Sequence, residues 1–69
     1  MKLSARNQLA ARVTGTTAGP ATTIVALELG GQRLVASITT EAAQELGLTE
    51  GTEVVAIIKA SDVILATPD

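Results

Sequence analysis

Apolar and polar residues alternate along much of this chain with a period of two, which is typical of β-strands. In residues 22–29, for example, Val25, Leu27 and Leu29 fall on one face, while Ile24 and Glu28 fall on the other. The pattern predicts five short strands, at residues 7–17, 22–29, 32–38, 53–59 and 63–66. The pair Gly30-Gly31 between two of these runs is a strong signal for a two-residue β-hairpin.

The period changes after Thr39-Thr40, where residues 41–46 are good helix formers. A Thr at the start can cap the free amides, Glu41 suits the positive end of the helix dipole, and Gly47 supplies the stop. The chain is therefore predicted to be all-β, a small five-stranded OB-like barrel with one short helix between strands 3 and 4.

The second and fourth predicted strands are apolar on both faces. In a lone small barrel one face of each strand should meet water and be polar. Either Ile24 with Ala26, or Val55 with Ile57, would then form an exposed patch of the kind that marks an interface. We expect an obligate homo-oligomer; the alternative is that loops or the helix cover these residues.

The chain has 69 residues, enough for one domain, with residues 1–66 structured and 67–69 a tail. It contains no Cys or His, so neither a disulfide nor a structural zinc supports so small a core. Met1-Lys2-Leu3 runs straight into polar residues, unlike a secretory signal, and no apolar stretch approaches the ~20 residues of a membrane-spanning helix. These features predict a cytoplasmic protein without a membrane partner.

Composition also limits the chemistry that the chain can perform. There is no aromatic residue, so bases and quaternary ammonium groups have nothing to stack on. The absence of His, Cys and Tyr removes the usual general bases and nucleophiles, and we expect no enzymatic activity and no catalytic residues. A net charge of −2 argues against a nucleic-acid partner.

Three clusters of hydrogen-bond donors remain. Ser4 and Arg6 would share one face of an extended segment, or they are simply exposed terminal residues. Thr39 stands where the helix begins, and its hydroxyl either helps to hold an anion or only caps the helix. Residues 59–61 end an apolar strand, where freed amides can form an anion-binding nest, or where Lys59 is merely solvated.

These clusters resemble the signature of the molbindins, the small Mop-type molybdate-binding proteins of the TOBE/Mop domain family. The resemblance covers about residues 2–66. It is carried by four motifs in order and at similar spacing, Ser4-Ala5-Arg6-Asn7-Gln8-Leu9, Ala36-Ser37-Ile38-Thr39, Leu46-Gly47-Leu48-Thr49-Glu50-Gly51-Thr52-Glu53-Val54 and Ile58-Lys59-Ala60-Ser61.

The resemblance implies an OB-like hexamer, built as a trimer of dimers, that stores and buffers molybdate between its subunits and also accepts tungstate. No free metal cation is implied, because the metal arrives as an oxyanion. Carried over by motif position, the oxyanion-binding residues would be Ser4, Arg6, Thr39, Lys59, Ala60 and Ser61. The chain departs from the family at Ala42, where some members carry Ser, and in residues 14–23, which are unusually rich in Thr and Gly.

The chemistry of the three clusters agrees with such a ligand. Molybdate is an unprotonated dianion at neutral pH, so a suitable site offers only donors, namely hydroxyls, cationic side chains and backbone N–H groups. One chain has few donors and little room for an internal cavity. We therefore expect the ligand at subunit interfaces, with Lys59 of one chain facing Ser4 and Arg6 of another.

Two alternatives stay open. Residues 38–54 also resemble the swapped-hairpin, AbrB-like DNA-binding regulators, which need several cations for phosphates, whereas this chain has five scattered cations against seven acids. The chain also resembles accessory regulatory domains of molybdate transport. An opening Met1 and a polar tail at Thr67-Pro68-Asp69 favour a free-standing storage protein over such a domain.

Overall fold

The computed structural model of the chain describes residues 2–69; Met1, which the predicted domain includes, lies outside them. One antiparallel sheet has the strand order β3-β2-β1-β4. Its strands are β1 (Asn7–Ala18), β2 (Thr22–Leu29), β3 (Gln32–Thr39) and β4 (Glu53–Ile58). Helix α1 (Thr40–Glu45) lies between β3 and β4, and a short 3-10 helix (Ala60–Asp62) follows β4. The predicted all-β class and the place of the helix are confirmed.

The long central strand β1 has two different partners along its length. Its first half pairs with β4, from Asn7 opposite Ile58 to Arg12 opposite Glu53. Its second half pairs with β2, and a register shift between Val13 and Gly15 marks a β-bulge there. A bulge adds an unpaired residue and increases the local bend and twist, so β1 serves both halves of a curved sheet.

The hairpin between β2 and β3 forms where the glycine pair predicted it. Leu29 pairs with Gln32, so Gly30 and Gly31 are the two loop residues. Both glycines have positive φ, 57° and 79°, as a type I′ turn requires. This turn matches the twist of the flanking strands, which explains why β2 and β3 stay in register over eight consecutive pairs.

The core lies on the concave face of the sheet and follows the alternation in the sequence. Val13 and Val25 are the largest fully buried side chains, at 1% and 2% exposure, and Ala11 and Leu27 pack with them. Residues from β3, β4 and the loop before β4 cover this cluster in part, among them Leu34, Leu48 and Val54. Leu9, Ala11 and Val13 share one face of β1, and this face is the core side.

The prediction of a fifth strand at residues 63–66 is wrong for the chain as described. No regular secondary structure follows Asp62, and Ile64 and Leu65 are 93% and 88% exposed. The physical reason is the 3-10 helix, in which the N–H of Asp62 donates to the carbonyl of Lys59 at 2.9 Å, so the chain turns instead of running on beside β4. The sheet therefore has four strands and is open, not a closed five-stranded barrel.

Candidate functional site

The segment before β1 presents its side chains alternately to the core and to solvent. Ala5 is buried at 8% exposure, whereas Ser4 and Arg6 on either side of it are exposed. The chain thus holds the hydroxyl and the guanidinium on the outward side, as the extended alternation predicted. Residues 2–6 form no part of the sheet, so only local contacts hold Ser4 and Arg6 in place.

One side-chain hydrogen bond joins this segment to the end of β4. The Nδ2 group of Asn7 donates to the carbonyl oxygen of Ile58 at 3.0 Å, between residues 51 positions apart in the sequence. Asn7 and Ile58 are also the last cross-strand pair at this end of the sheet. Arg6 and Lys59 come next along the two segments, just beyond this last pair, and both are exposed.

Arg6 and Lys59 thus form an uncompensated pair of cations. Within residues 2–69 the one ion pair is Arg12 with Glu28, at 4.0 Å, so neither of the two cations has a carboxylate partner there. Like charges at opposite positions of an antiparallel pair are destabilising. A doubly charged anion between Arg6 and Lys59 would turn this repulsion into two charge-assisted contacts.

The turn after β4 adds backbone donors at the same place. The first hydrogen bond of the 3-10 helix is donated by the N–H of Asp62, so the N–H groups of Ala60 and Ser61 precede it. The first amides of any helix have no partner within the helix and are available to an outside acceptor. The exposed Ser61 hydroxyl lies on the same turn. Five of the six predicted site residues therefore lie within three residues of this strand-end pair along the chain, namely Ser4, Arg6, Lys59, Ala60 and Ser61.

Thr39 occupies the N-cap of α1, and its Oγ1 accepts a hydrogen bond from the N–H of Ala42 at 3.1 Å. The predicted capping role is confirmed. The N–H of Thr40 donates to the carbonyl of Ala21 at 2.9 Å, so much of the donor capacity at the helix start is already used. The hydroxyl hydrogen of Thr39 stays available, because Oγ1 acts as the acceptor in the cap.

The structure does not bring Thr39 together with the other five residues. Thr39 pairs with Thr22 at the far end of β2, just beyond the pair of Ala18 with Thr23. Arg6 precedes the opposite end of β1, and the twelve residues of that strand span roughly 36 Å at ~3.3 Å per step if straight. This separation favours two copies of the chain for a site that uses both Thr39 and Arg6.

The contact of Asn7 with Ile58 is a feature that the sequence reasoning missed. By the alternation of an extended segment, Asn7 lies on the face opposite Ser4 and Arg6. The sequence does contain a usable signal. Every second residue from 5 to 13 points inward, and Asn7 is the one polar residue in this series, among Ala5, Leu9, Ala11 and Val13. A polar residue in an inward series needs a hydrogen-bond partner, and here the partner is a strand-end carbonyl.

Two other kinds of site were also sought in residues 2–69. Within them, no three or more Asp and Glu side chains gather where they could hold a metal ion. None of the helices described is long and apolar enough to cross a membrane.

Comparison with known proteins places this geometry in context. A family profile for the TOBE domain matches residues 3–65. The chain is 42% identical over 66 residues to molybdenum-pterin-binding protein 1 of Clostridium pasteurianum, covering 94% of this chain and 97% of that one. It is 46% identical over 68 residues to the molybdenum transport protein ModE of Herbaspirillum seropedicae, covering 97% of this chain but 25% of that protein.

The fold is similar to solved structures as well. A molybdate-binding protein from Sporomusa ovata superposes with a TM-score of 0.92 at 33% identity, covering 97% of this chain and 100% of that one. Its similarity extends beyond the core strands, because the aligned region includes nearly all of the described residues.

Proposed function

The chain belongs to the TOBE domain family, and on this premise we propose that it binds molybdate, with tungstate as an alternative ligand. The single observation that carries the proposal is the strand-end pair of Asn7 with Ile58, which is flanked by Arg6 and Lys59. Neither cation has a carboxylate partner within residues 2–69, and the first amides of the turn, those of Ala60 and Ser61, follow directly. The named function of the relatives supports the same ligand.

The donor set suits a tetrahedral dianion without protons. Arg6 and Lys59 supply positive charge, and Ser4, Ser61 and two backbone amides supply neutral donors. A pocket without acceptors disfavours monohydrogen phosphate, whose O–H would find no partner. Sulfate carries the same charge as molybdate and is rejected by its smaller size, whereas tungstate is nearly the same size and is accepted.

The ligand that we propose is the free oxyanion and not a pterin complex of molybdenum. The relative from Clostridium pasteurianum carries molybdenum-pterin in its name. A pterin ring needs a flat surface to stack on, and this sequence has no aromatic residue. Titration with molybdate and, separately, with a pterin lacking metal distinguishes the two ligands, since only molybdate should release heat.

We also propose that the chain works as a homo-oligomer, with a hexamer built as a trimer of dimers. An open apolar groove of about 270 Å³ is lined by residues of β2, β3 and β4 on the concave face. Exposed apolar side chains at the rim of this groove include Val35, Val55 and Ile57, and Ile24 and the tail at Ile64 and Leu65 are exposed as well. So large an apolar surface on so small a chain is typical of an interface, and burial between copies would stabilise a limited core.

The oligomer supplies what one chain lacks at the anion site. Within one chain Arg6 and Lys59 flank the pair of Asn7 with Ile58, whereas Thr39 lies beyond the opposite end of β1. The register therefore favours a shared site in which one copy provides Arg6 and Lys59 and a second copy provides Thr39. This modifies the expectation that Lys59 of one chain faces Ser4 and Arg6 of another.

We propose that the protein stores the anion and maintains its level. In this role it acts as a binding protein and not as an enzyme. The match to one quarter of a molybdenum transport protein supports a second candidate, an accessory domain that reports the anion to a larger protein. The AbrB-like DNA-binding alternative is not favoured, because the relatives are molybdenum-binding proteins. The cytoplasmic location and the limits of the single domain stay predictions.

Native mass spectrometry with and without molybdate tests the proposal, together with calorimetric titration. We expect a multiple of the subunit mass, added mass in whole molybdate units, and heat with molybdate and tungstate but none with phosphate. A protein that gives no heat and no added mass with either oxyanion would contradict the proposed ligand, whatever its oligomeric state.

A further inference from the structure

Asn7 holds the two halves of the candidate site at a fixed spacing. Its Nδ2 group donates to the carbonyl oxygen of Ile58 at 3.0 Å. Asn7 directly follows Arg6, and Ile58 directly precedes Lys59, so the bond lies one residue from each cation. No other side-chain hydrogen bond in residues 2–69 reaches the end of β4, which makes this contact the local tie between the two segments.

The segment that carries Ser4 and Arg6 has little else to hold it. Residues 2–6 lie outside the sheet, and Ala5 is their one buried side chain. Segments with few buried contacts and no ladder of hydrogen bonds open readily. Arg6 and Lys59 carry like charges just beyond the last strand pair, so without an anion they give the segment no attraction to the end of β4.

We propose that Asn7 is a positioning residue, whose side-chain bond to Ile58 holds Arg6 next to Lys59 in the anion-free protein. This inference rests on the proposed anion site. The bond sets the spacing of the two cations before binding, so the anion does not have to order the segment itself. A preformed set of donors binds more tightly than one that must be assembled by its ligand.

The chemistry of the contact explains why an amide suits this position. Ile58 offers a carbonyl, so its partner must be a donor, and the Asn7 side chain reaches it without carrying a charge. An aspartate has nearly the same shape but no donor when ionised, and it would place a carboxylate beside the site. Glutamine keeps the amide on a chain one methylene longer.

The test compares Asn7→Ala and Asn7→Asp with a matched control, Thr14→Val. The Thr14 hydroxyl likewise donates to a backbone carbonyl of the neighbouring strand, that of Ala26 in β2, at 3.2 Å. This bond lies in the half of β1 that pairs with β2. Calorimetric titration with molybdate should give about tenfold weaker binding for both Asn7 variants. Thr14→Val should stay within about twofold of the parent. Asn7→Gln should recover part of the loss, and it provides a folded variant if the others do not fold.

A second measurement does not depend on the ligand. Hydrogen exchange of the anion-free proteins should be faster in Asn7→Ala than in the parent at the first paired residues of β1 and the last of β4, beside Asn7 and Ile58, and unchanged there in Thr14→Val. Unchanged exchange, or molybdate affinity equal to the parent's, would overturn the positioning role. If the parent binds no molybdate the proposed function fails, and the exchange rates still decide whether Asn7 holds the segment.

Discussion

The hydroxyl of Thr40 donates a hydrogen bond of 2.7 Å to the carbonyl oxygen of Gly19, joining the start of α1 to the turn between β1 and β2. The same hydroxyl lies 2.9 Å from that of Thr23, which is 2% exposed. Because the Thr40 hydroxyl donates its one hydrogen to the carbonyl of Gly19, it accepts the hydrogen bond from the Thr23 hydroxyl. This relay satisfies a buried hydroxyl and holds Thr39 in its capping position.

Substitution Thr40→Val should destabilise the protein by about 1–3 kcal/mol, because the buried Thr23 hydroxyl would lose its acceptor. Urea denaturation measures the change as a lower midpoint. Thr49→Val is the control, since the Thr49 hydroxyl pairs with that of Thr52 at an exposed position. Equal losses for the two variants would show that the relay contributes nothing specific.

Removal of Arg6 should weaken molybdate binding far more than removal of Arg12. Both arginines lie on the outward side of the β1 segment, but Arg12 already faces Glu28 at 4.0 Å. We expect Arg6→Ala to bind molybdate at least about tenfold more weakly, because it lacks one charge-assisted contact. Arg12→Ala should bind within about twofold of the parent. Similar losses in calorimetry would indicate general charge attraction and no defined contact.

Mixed oligomers can identify which residues come from the same copy. Subunits with Arg6→Ala and subunits with Thr39→Val, combined in equal amounts, should recover about a quarter of the sites, since each donor is intact in half of the chains. Subunits with Arg6→Ala and with Lys59→Ala should recover none, because in the proposed site both cations come from one chain. Molybdate bound per assembly is read by native mass spectrometry.

The opposite result would be equally informative for the shared site. If subunits with Arg6→Ala and subunits with Lys59→Ala together recover molybdate sites, then Lys59 of one copy faces Arg6 of another. Failure of the Arg6 and Thr39 mixture, with folded subunits that do exchange, would remove Thr39 from the site. The role of Thr39 would then be limited to capping α1, where its Oγ1 accepts from the N–H of Ala42.

Substitution Leu65→Ser should reduce assembly although Leu65 is 88% exposed in the single chain. A leucine that stays exposed to solvent can be replaced by a polar residue at little cost in free energy. Replacing a leucine that is buried between copies weakens association by about 2 kcal/mol per interface. Sedimentation or native mass spectrometry should show smaller species. Ala66→Ser on the same exposed tail is the control, because it removes little apolar area. Equal assembly of both variants would contradict a role for Leu65.

The local structure of this protein followed from its sequence. Alternation of apolar residues predicted β2 at the bounds observed, 22–29, and the glycine pair predicted its hairpin with β3. Thr39 was recognised as a cap because its position before a run of helix formers is sufficient for that role. These features depend on neighbours within a few residues, whose steric and hydrogen-bonding preferences are the same in any fold.

Only the tertiary structure decided how the distant segments meet. The four residues Val63 to Ala66 have a strand-like composition, but pairing needs a free strand edge, and the turn at residues 60–62 leads them away from one. Likewise, Ser4, Arg6 and Lys59 could be chosen by residue type, yet their meeting depends on the pairing of β1 with β4 across more than fifty residues. Register over such a distance is set by packing of whole strands, and no short motif encodes it.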